Sequence, residues 1–142
     1  MRRPVWSRQY LDVKWTEHGR EWPRVDCWGF IREIHAREYG NDLPAFDGSY
    51  RSGLTSESAD AIREDEAFPF VPVERNEIQE GDIAGFANMN GVIHTVLMLN
   101  RHECIHVQVD LRSRIERFGD VAERMKYVGA YRFQGEPLRS ER

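Results

Sequence analysis

Of the residues in this chain that can do more than carry charge or fill space, Cys27 has the most suggestive neighbours. It follows Asp26, a good helix N-cap, and Phe30, Ile31 and Ile34 recur three, four and seven residues later, with Gly40 placed as a stop. This pattern predicts an amphipathic helix with a thiol in its first turn. Unpaired N–H groups and the positive end of the helix dipole favour thiolate over thiol there, as a cysteine nucleophile requires. The same N–H groups could hold an oxyanion. A small buried cysteine at the start of a core helix fits the same pattern.

Two histidines in the second half could complete such a site. The residues after 91 alternate as strands do, so that His94, Val96 and Met98 share one face and Cys104, His106 and Gln108 share another. A turn near 100–103 then places His94 and His106 on neighbouring strands, with Ile93 and positions 105, 107 and 109 packing elsewhere. We expect both rings on a sheet face beneath the thiol. In a Cys-His-polar arrangement His94 takes the proton from Cys27 and returns it to the leaving amine, while His106 holds the His94 ring in the useful tautomer. The alternative is two hydrogen-bonded sheet histidines with no reaction to serve. Of the rest, His18 sits in a loop and is able to line a cleft, His35 is expected half exposed in mid-helix, and His102 falls in a turn. Cys104 and His106 lack the partner pair of a zinc site, so no metal and no cofactor is expected.

The elements that must position these groups divide by period. Residues 4–24 hold Trp6, Trp15 and Trp22 among charges, and read as a short helix or extended arm over 10–15 followed by a loop, with the tryptophans packed over the helix. A turn-rich connection spans 46–53, and Ser56 opens a surface helix over 56–66. The prolines of 68–73 require an extended crossing segment. From Gln79 onward the expected order is a strand at 83–87, a turn at 88–91 ending in Asn90-Gly91, strands at 92–99 and 104–109, a fourth strand at 114–118, a helical turn at 120–126 and a last strand at 127–133. Helices first and strands after predict an α+β domain, the Cys27 helix laid on an antiparallel sheet.

With 142 residues, the simplest organisation is one domain over 1–142: a core about 10–133, an arm over 1–9 and a polar tail over 134–142. A net charge of −4 from 20 basic and 24 acidic side chains, with no dense basic stripe, argues against nucleic acid as the partner. Two cysteines make no disulfide framework. No apolar stretch nears 18 residues and no signal-peptide core follows Met1-Arg2-Arg3-Pro4, so neither membrane insertion nor an export address of its own is expected.

The ordered set Asp26-Cys27-Trp28-Gly29-Phe30-Ile31-Arg32, Leu43-Pro44, Glu80-Gly81-Asp82-Ile83, His94-Thr95-Val96-Leu97-Met98 and His106 resembles the NlpC/P60 family of cysteine peptidases. It is most similar to the short form carried by tailed phages and gene transfer agents, and the likeness runs from about Tyr10 to Phe133. It implies a papain-like α+β core and hydrolysis of amide bonds in peptidoglycan stem peptides, commonly next to D-γ-glutamate. Cys27 becomes the nucleophile, His94 the base and His106 the third polar residue. Trp15 stands where many members carry a tyrosine that helps at the oxyanion side, and an indole offers one N–H but no hydroxyl. Trp28 replaces the usual serine. Trp15, His18 and Trp28 are therefore weaker oxyanion- or substrate-lining candidates. His94-Thr95-Val96 departs from the common histidine, valine, glycine run beside the base.

The resemblance implies a peptidoglycan peptide as substrate, tail-tip or hub proteins of a phage as partners and the virion tail tip as location. A structural tail component that keeps the fold without needing catalysis is the competing expectation. Arm residues 2–10 and the tail after Phe133 are the segments expected to meet a partner.

Overall fold

A change from helical to alternating period near residue 79 divides the chain, and the architecture follows it. The computed structural model describes residues 2–17, 19–44, 54–55, 70–89 and 92–135. Short strands β1 (Arg20–Glu21) and β2 (Arg24–Val25) pair antiparallel and deliver the chain to helix α1 (Cys27–Ile34). Asp26 caps it as its sequence suggests, Oδ1 accepting from the Gly29 N–H at 2.8 Å. The helix runs on into a π turn, His35–Tyr39, and stops at Gly40, whose φ of 68° is the left-handed cap that glycine takes without strain.

The strands that follow are β3 (Leu54–Thr55), β4 (Phe70–Val73), β5 (Ile83–Ala87), β6 (Val92–Met98), β7 (Glu103–His106), β8 (Arg114–Arg117) and, after helix α2 (Phe118–Arg124), β9 (Lys126–Phe133). They form one antiparallel sheet in the order β4-β9-β5-β6-β7-β8, with β3 on the first half of β6. Consecutive strands β5 to β8 make the expected meander, one strand longer than three. β9 returns to the free side of β5, and β4 pairs with β9. The helical turn expected at 120–126 begins earlier, at Phe118, and the third strand ends at His106, short of 109. The helix expected over 56–66 and the Asn90-Gly91 turn lie outside the described residues.

Each face of the sheet carries its own core. On one, Phe30, Ile31 and Ile34 of α1 pack with Ile83, Ile93, Leu97, Ile105 and Val107; on the other, Phe118 and Val121 of α2 pack with Ala84, Phe86, Val96, Met98 and Cys104. The three α1 side chains are fully buried, each such burial stabilising by about 1.5–3 kcal/mol. That choice of face corrects one expectation. The aliphatic positions 93, 105 and 107 lie beneath α1, where hydrophobic burial drives them, and the alternation of β6 and β7 turns His94 and His106 to the α2 side.

His35 is also corrected: it is buried at 3% exposure rather than half exposed. Its Nε2–H donates to the Gly81 carbonyl at 3.0 Å and its Nδ1 accepts from Asn41 Nδ2 at 3.2 Å, clasping the end of α1 to the turn before β5. That turn is fixed from beneath by buried Asp82, held by Arg132 of β9 at 2.8 and 2.9 Å. The arm meets the body of the chain itself. Trp6 stands edge-on to Tyr10 and Tyr39, Tyr10 donates to Glu38, and Arg3 pairs with Glu103 at 2.7 Å. Trp6, Tyr10 and Arg3, three of the anchors expected to meet a partner, thus have contacts within the chain.

Candidate active site

Cys27 occupies the first turn of α1 at 1% exposure. Thr95, on the α1 side of β6, donates its hydroxyl proton to Cys27 Sγ at 3.5 Å. A donor aimed at sulfur favours thiolate in the same sense as the helix terminus does. Gly29 lets the preceding loop close over this helix start. A Cβ there would lie 2.2 Å from the Gly19 carbonyl oxygen, which instead accepts from the Asp26 N–H at 3.2 Å. Thr95 could be found in the sequence only as the residue beside His94; its use was not legible there.

His94 is adjacent to Thr95 and turns the other way. Its Nε2 lies 2.7 Å from His106 Nδ1, and His106 Nε2 lies 2.8 Å from Glu116 Oε1. Arg124 of α2 then grips Glu116 through two bonds of 2.6 and 3.0 Å, and Arg114 approaches the same carboxylate at 2.8 Å. The strand pairing explains the line. Leu97↔Ile105 makes His94 a diagonal neighbour of His106, and Cys104↔Glu116 with His106↔Arg114 brings the β8 charges to the same face.

Protonation follows from these contacts. The Arg124 bond holds the Glu116 carboxyl down at about 2, so it is ionised and can only accept. His106 is fully buried, and burial lowers it to about 4 against the pull of Glu116; it is neutral near pH 7. Its single proton therefore sits on Nε2, facing Glu116, and its Nδ1 accepts from His94 Nε2–H. His94, held well below its ordinary value by burial and then by His106 and the arginines, is left with an unprotonated Nδ1. A neutral imidazole with one unprotonated nitrogen has the form a general base needs.

Cys104 contrasts with Cys27. It is buried mid-sheet among Phe86, Val96 and Phe118, and burial pushes its thiol up to about 12, so it is inert as a nucleophile. Of the weaker candidates, Trp28 is corrected. It is 1% exposed, packs on Phe70 and donates its only N–H to the Pro44 carbonyl at 2.7 Å, so that donor is committed within the chain. Trp15 bridges Val25, the residue before the cap, and packs on the α1 core. His18 lies outside the described residues. Among the described residues no group of three or more His, Cys, Asp or Glu side chains converges to hold a metal, and no helix is long and apolar enough to cross a membrane.

Comparison with known proteins bears on the family and the fold. The NlpC/P60 family model matches residues 12–132. The NlpC/p60 domain of the peptidoglycan hydrolase SagA is similar over 87% of this chain and 90% of that one, at 18% identity and a TM-score of 0.58. An NlpC/P60 family protein from Bacillus cereus has 18% identity and a TM-score of 0.60, covering 94% of this chain and 42% of that one. A Staphylococcus aureus protein described as similar to lipoprotein, NLP/P60 family, has 16% identity and the same TM-score of 0.60, with 90% and 39% covered. The chain thus spans less than half the length of the latter two. No curated protein matches it. These likenesses establish the papain-like α+β fold. With the family model covering most of its length, the chain belongs to the NlpC/P60 family, whose members are cysteine peptidases and peptidoglycan hydrolases.

Proposed function

We propose that the chain is a cysteine peptidase that hydrolyses amide bonds of peptidoglycan stem peptides, next to D-γ-glutamate, with Cys27 as nucleophile, His94 as general base and His106 as the residue that orients it. The observation that carries this reading is the hydrogen-bonded line from His94 through His106 to Glu116, which leaves His94 neutral with Nδ1 unprotonated, on the strand whose next residue, Thr95, engages the thiol. His94 accepts the Cys27 proton, and the thiolate adds to the substrate carbonyl. The N–H groups of the first turn of α1 stabilise the oxyanion. Collapse breaks the C–N bond, His94 gives its proton to the departing amine, and water, deprotonated by His94, releases the acyl group from sulfur. Thr95 meets the thiol from the α1 side of β6 and His94 lies on the α2 side, so this transfer requires the His94 ring and the thiol to be brought together in the substrate complex.

The proposed setting is the tail tip of a phage or phage-derived particle, with tail-hub proteins as partners. The support is the likeness of the motifs to the short phage form. A domain carried there gains the local concentration that a lone catalytic domain lacks. Digestion of purified peptidoglycan with mass analysis of the fragments tests the chemistry. New amino and carboxyl ends at one stem-peptide bond, lost in Cys27→Ala, are expected, and no release by the wild type refutes the reading. Sedimentation of the chain with tail particles tests the setting; a chain that stays free and is fully lytic alone refutes it.

A further inference from the structure

The hydrogen-bonded line does not end at His106. Glu116 accepts from the ring nitrogen facing away from His94, and three guanidinium contacts, two from Arg124 and one from Arg114, fix its carboxylate. An ionised carboxylate can only accept, so it decides which His106 nitrogen is protonated, and that nitrogen decides which face of His94 stays basic. Resting on the peptidase reading above, we propose that Glu116 is a positioning residue: its charge sets the proton order through His106 to His94 and stabilises the imidazolium formed when Cys27 ionises. Arg124 and Arg114 hold the carboxylate in place and oppose that imidazolium. The charged and titratable groups around His94 and His106 are the neutral Cys104 thiol from β7, Arg114 and Glu116 from β8, and Arg124 from α2.

A role confined to tying β8 to α2 makes different predictions. If Glu116 were only a strap, Glu116→Gln and Arg124→Gln would loosen the same ion pair and move the site in the same direction. If its charge acts on His94, the two changes have opposite signs. Glu116→Gln removes the negative charge that favours the imidazolium, whereas Arg124→Gln removes a positive charge that disfavours it.

Two measurements on the intact chain test this. Nitrogen-15 spectra of labelled histidines in the wild type should show His94 and His106 both neutral and protonated at Nε2 near pH 7, and Glu116→Gln should mix the His106 tautomers. Iodoacetamide alkylation of Cys27 against pH should shift up by about one unit in Glu116→Gln, a tenfold slower reaction at neutral pH, and down in Arg124→Gln. Shifts of the same sign, or a wild-type His94 protonated at Nδ1, overturn the proposal, and the wild-type spectrum decides it even if Glu116→Gln does not fold. These readouts are separate from turnover. Expected spectra and alkylation with no peptidoglycan fragments would sink the peptidase reading and leave this one standing.

Discussion

Thr95 and Cys27 are joined side chain to side chain, the threonine hydroxyl donating to the sulfur at 3.5 Å from 68 residues away in the chain. Because Thr95 is the immediate neighbour of His94, one strand contributes both a donor to the thiol and the base. Thr95→Val should keep the shape of this site and remove the donor. A bond of this length is worth about 1 kcal/mol, so the alkylation midpoint of Cys27 should rise by about half to one pH unit with the fold retained. An unchanged midpoint would show that the hydroxyl does not act on the thiol.

The two thiols should separate cleanly. Cys27→Ala should abolish hydrolysis, because a small side chain at a helix start leaves packing nearly intact and removes the nucleophile. Cys104→Ala should keep activity and cost about 1 kcal/mol for the lost sulfur contacts. Peptide mapping after brief iodoacetamide treatment should find label on Cys27 and little on Cys104, whose thiol is buried and raised to about 12. Loss of activity in a folded Cys104→Ala chain would mean that the wrong thiol has been assigned.

His94→Ala should lower kcat about as much as losing the thiol, since members of one catalytic unit are not additive. His106→Asn should be milder than His106→Ala. An asparagine offers an oxygen to accept from His94 Nε2–H and an NH2 to donate to Glu116, preserving the direction of both bonds. Steady-state kinetics on a stem-peptide substrate distinguishes these outcomes, and a harmless His106→Ala would require another partner for His94.

Acid should destabilise the fold through its buried histidines. His35 and His106 titrate near 4 when folded because burial disfavours their charged forms, against about 6.5 when unfolded. Below 6.5 the unfolded chain binds more protons, so stability falls as pH drops from 6.5 towards 4 and loses nothing further from these groups beneath that. Each contributes a loss of up to about 3 kcal/mol. Thermal unfolding across this window should show the decline, and His35→Gln should remove about one proton from its slope. A wild-type Tm that is flat from pH 7 to 4 would contradict the burial argument.

Gly29→Ala should damage the site without touching a reactive group. The added methyl would collide with the Gly19 carbonyl, and backbone on both sides prevents relief, so overpacking costs about 1–3 kcal/mol. The loop before the helix should lift from the thiol. Faster proteolysis near Gly19 together with reduced turnover is the expected result; wild-type behaviour in both would sink this account of the glycine.

The sequence alone carried what local chemistry and period can carry. Asp26, the spacing of Phe30, Ile31 and Ile34, and Gly40 define α1 because capping and burial act within one turn of helix. Alternation after Gln79 defines the strands, and a separation of twelve positions between the two histidines, with a turn between them, is enough to make His94 and His106 neighbours. Tertiary structure decided which face of the sheet α1 would cover, because period 2 marks two faces without saying which is buried beneath a helix. The aliphatic face lies there, and that choice gave Thr95 to the thiol and turned the histidines towards α2. It also joined Glu116 and Arg124, eight residues apart on a strand and a helix, to a base on a different strand. Their pattern reads as surface charge until β7 and β8 pair. A side chain's role at such a site depends on which strand lies beside it, and strand order is set by packing across the whole sheet rather than by any neighbouring residue.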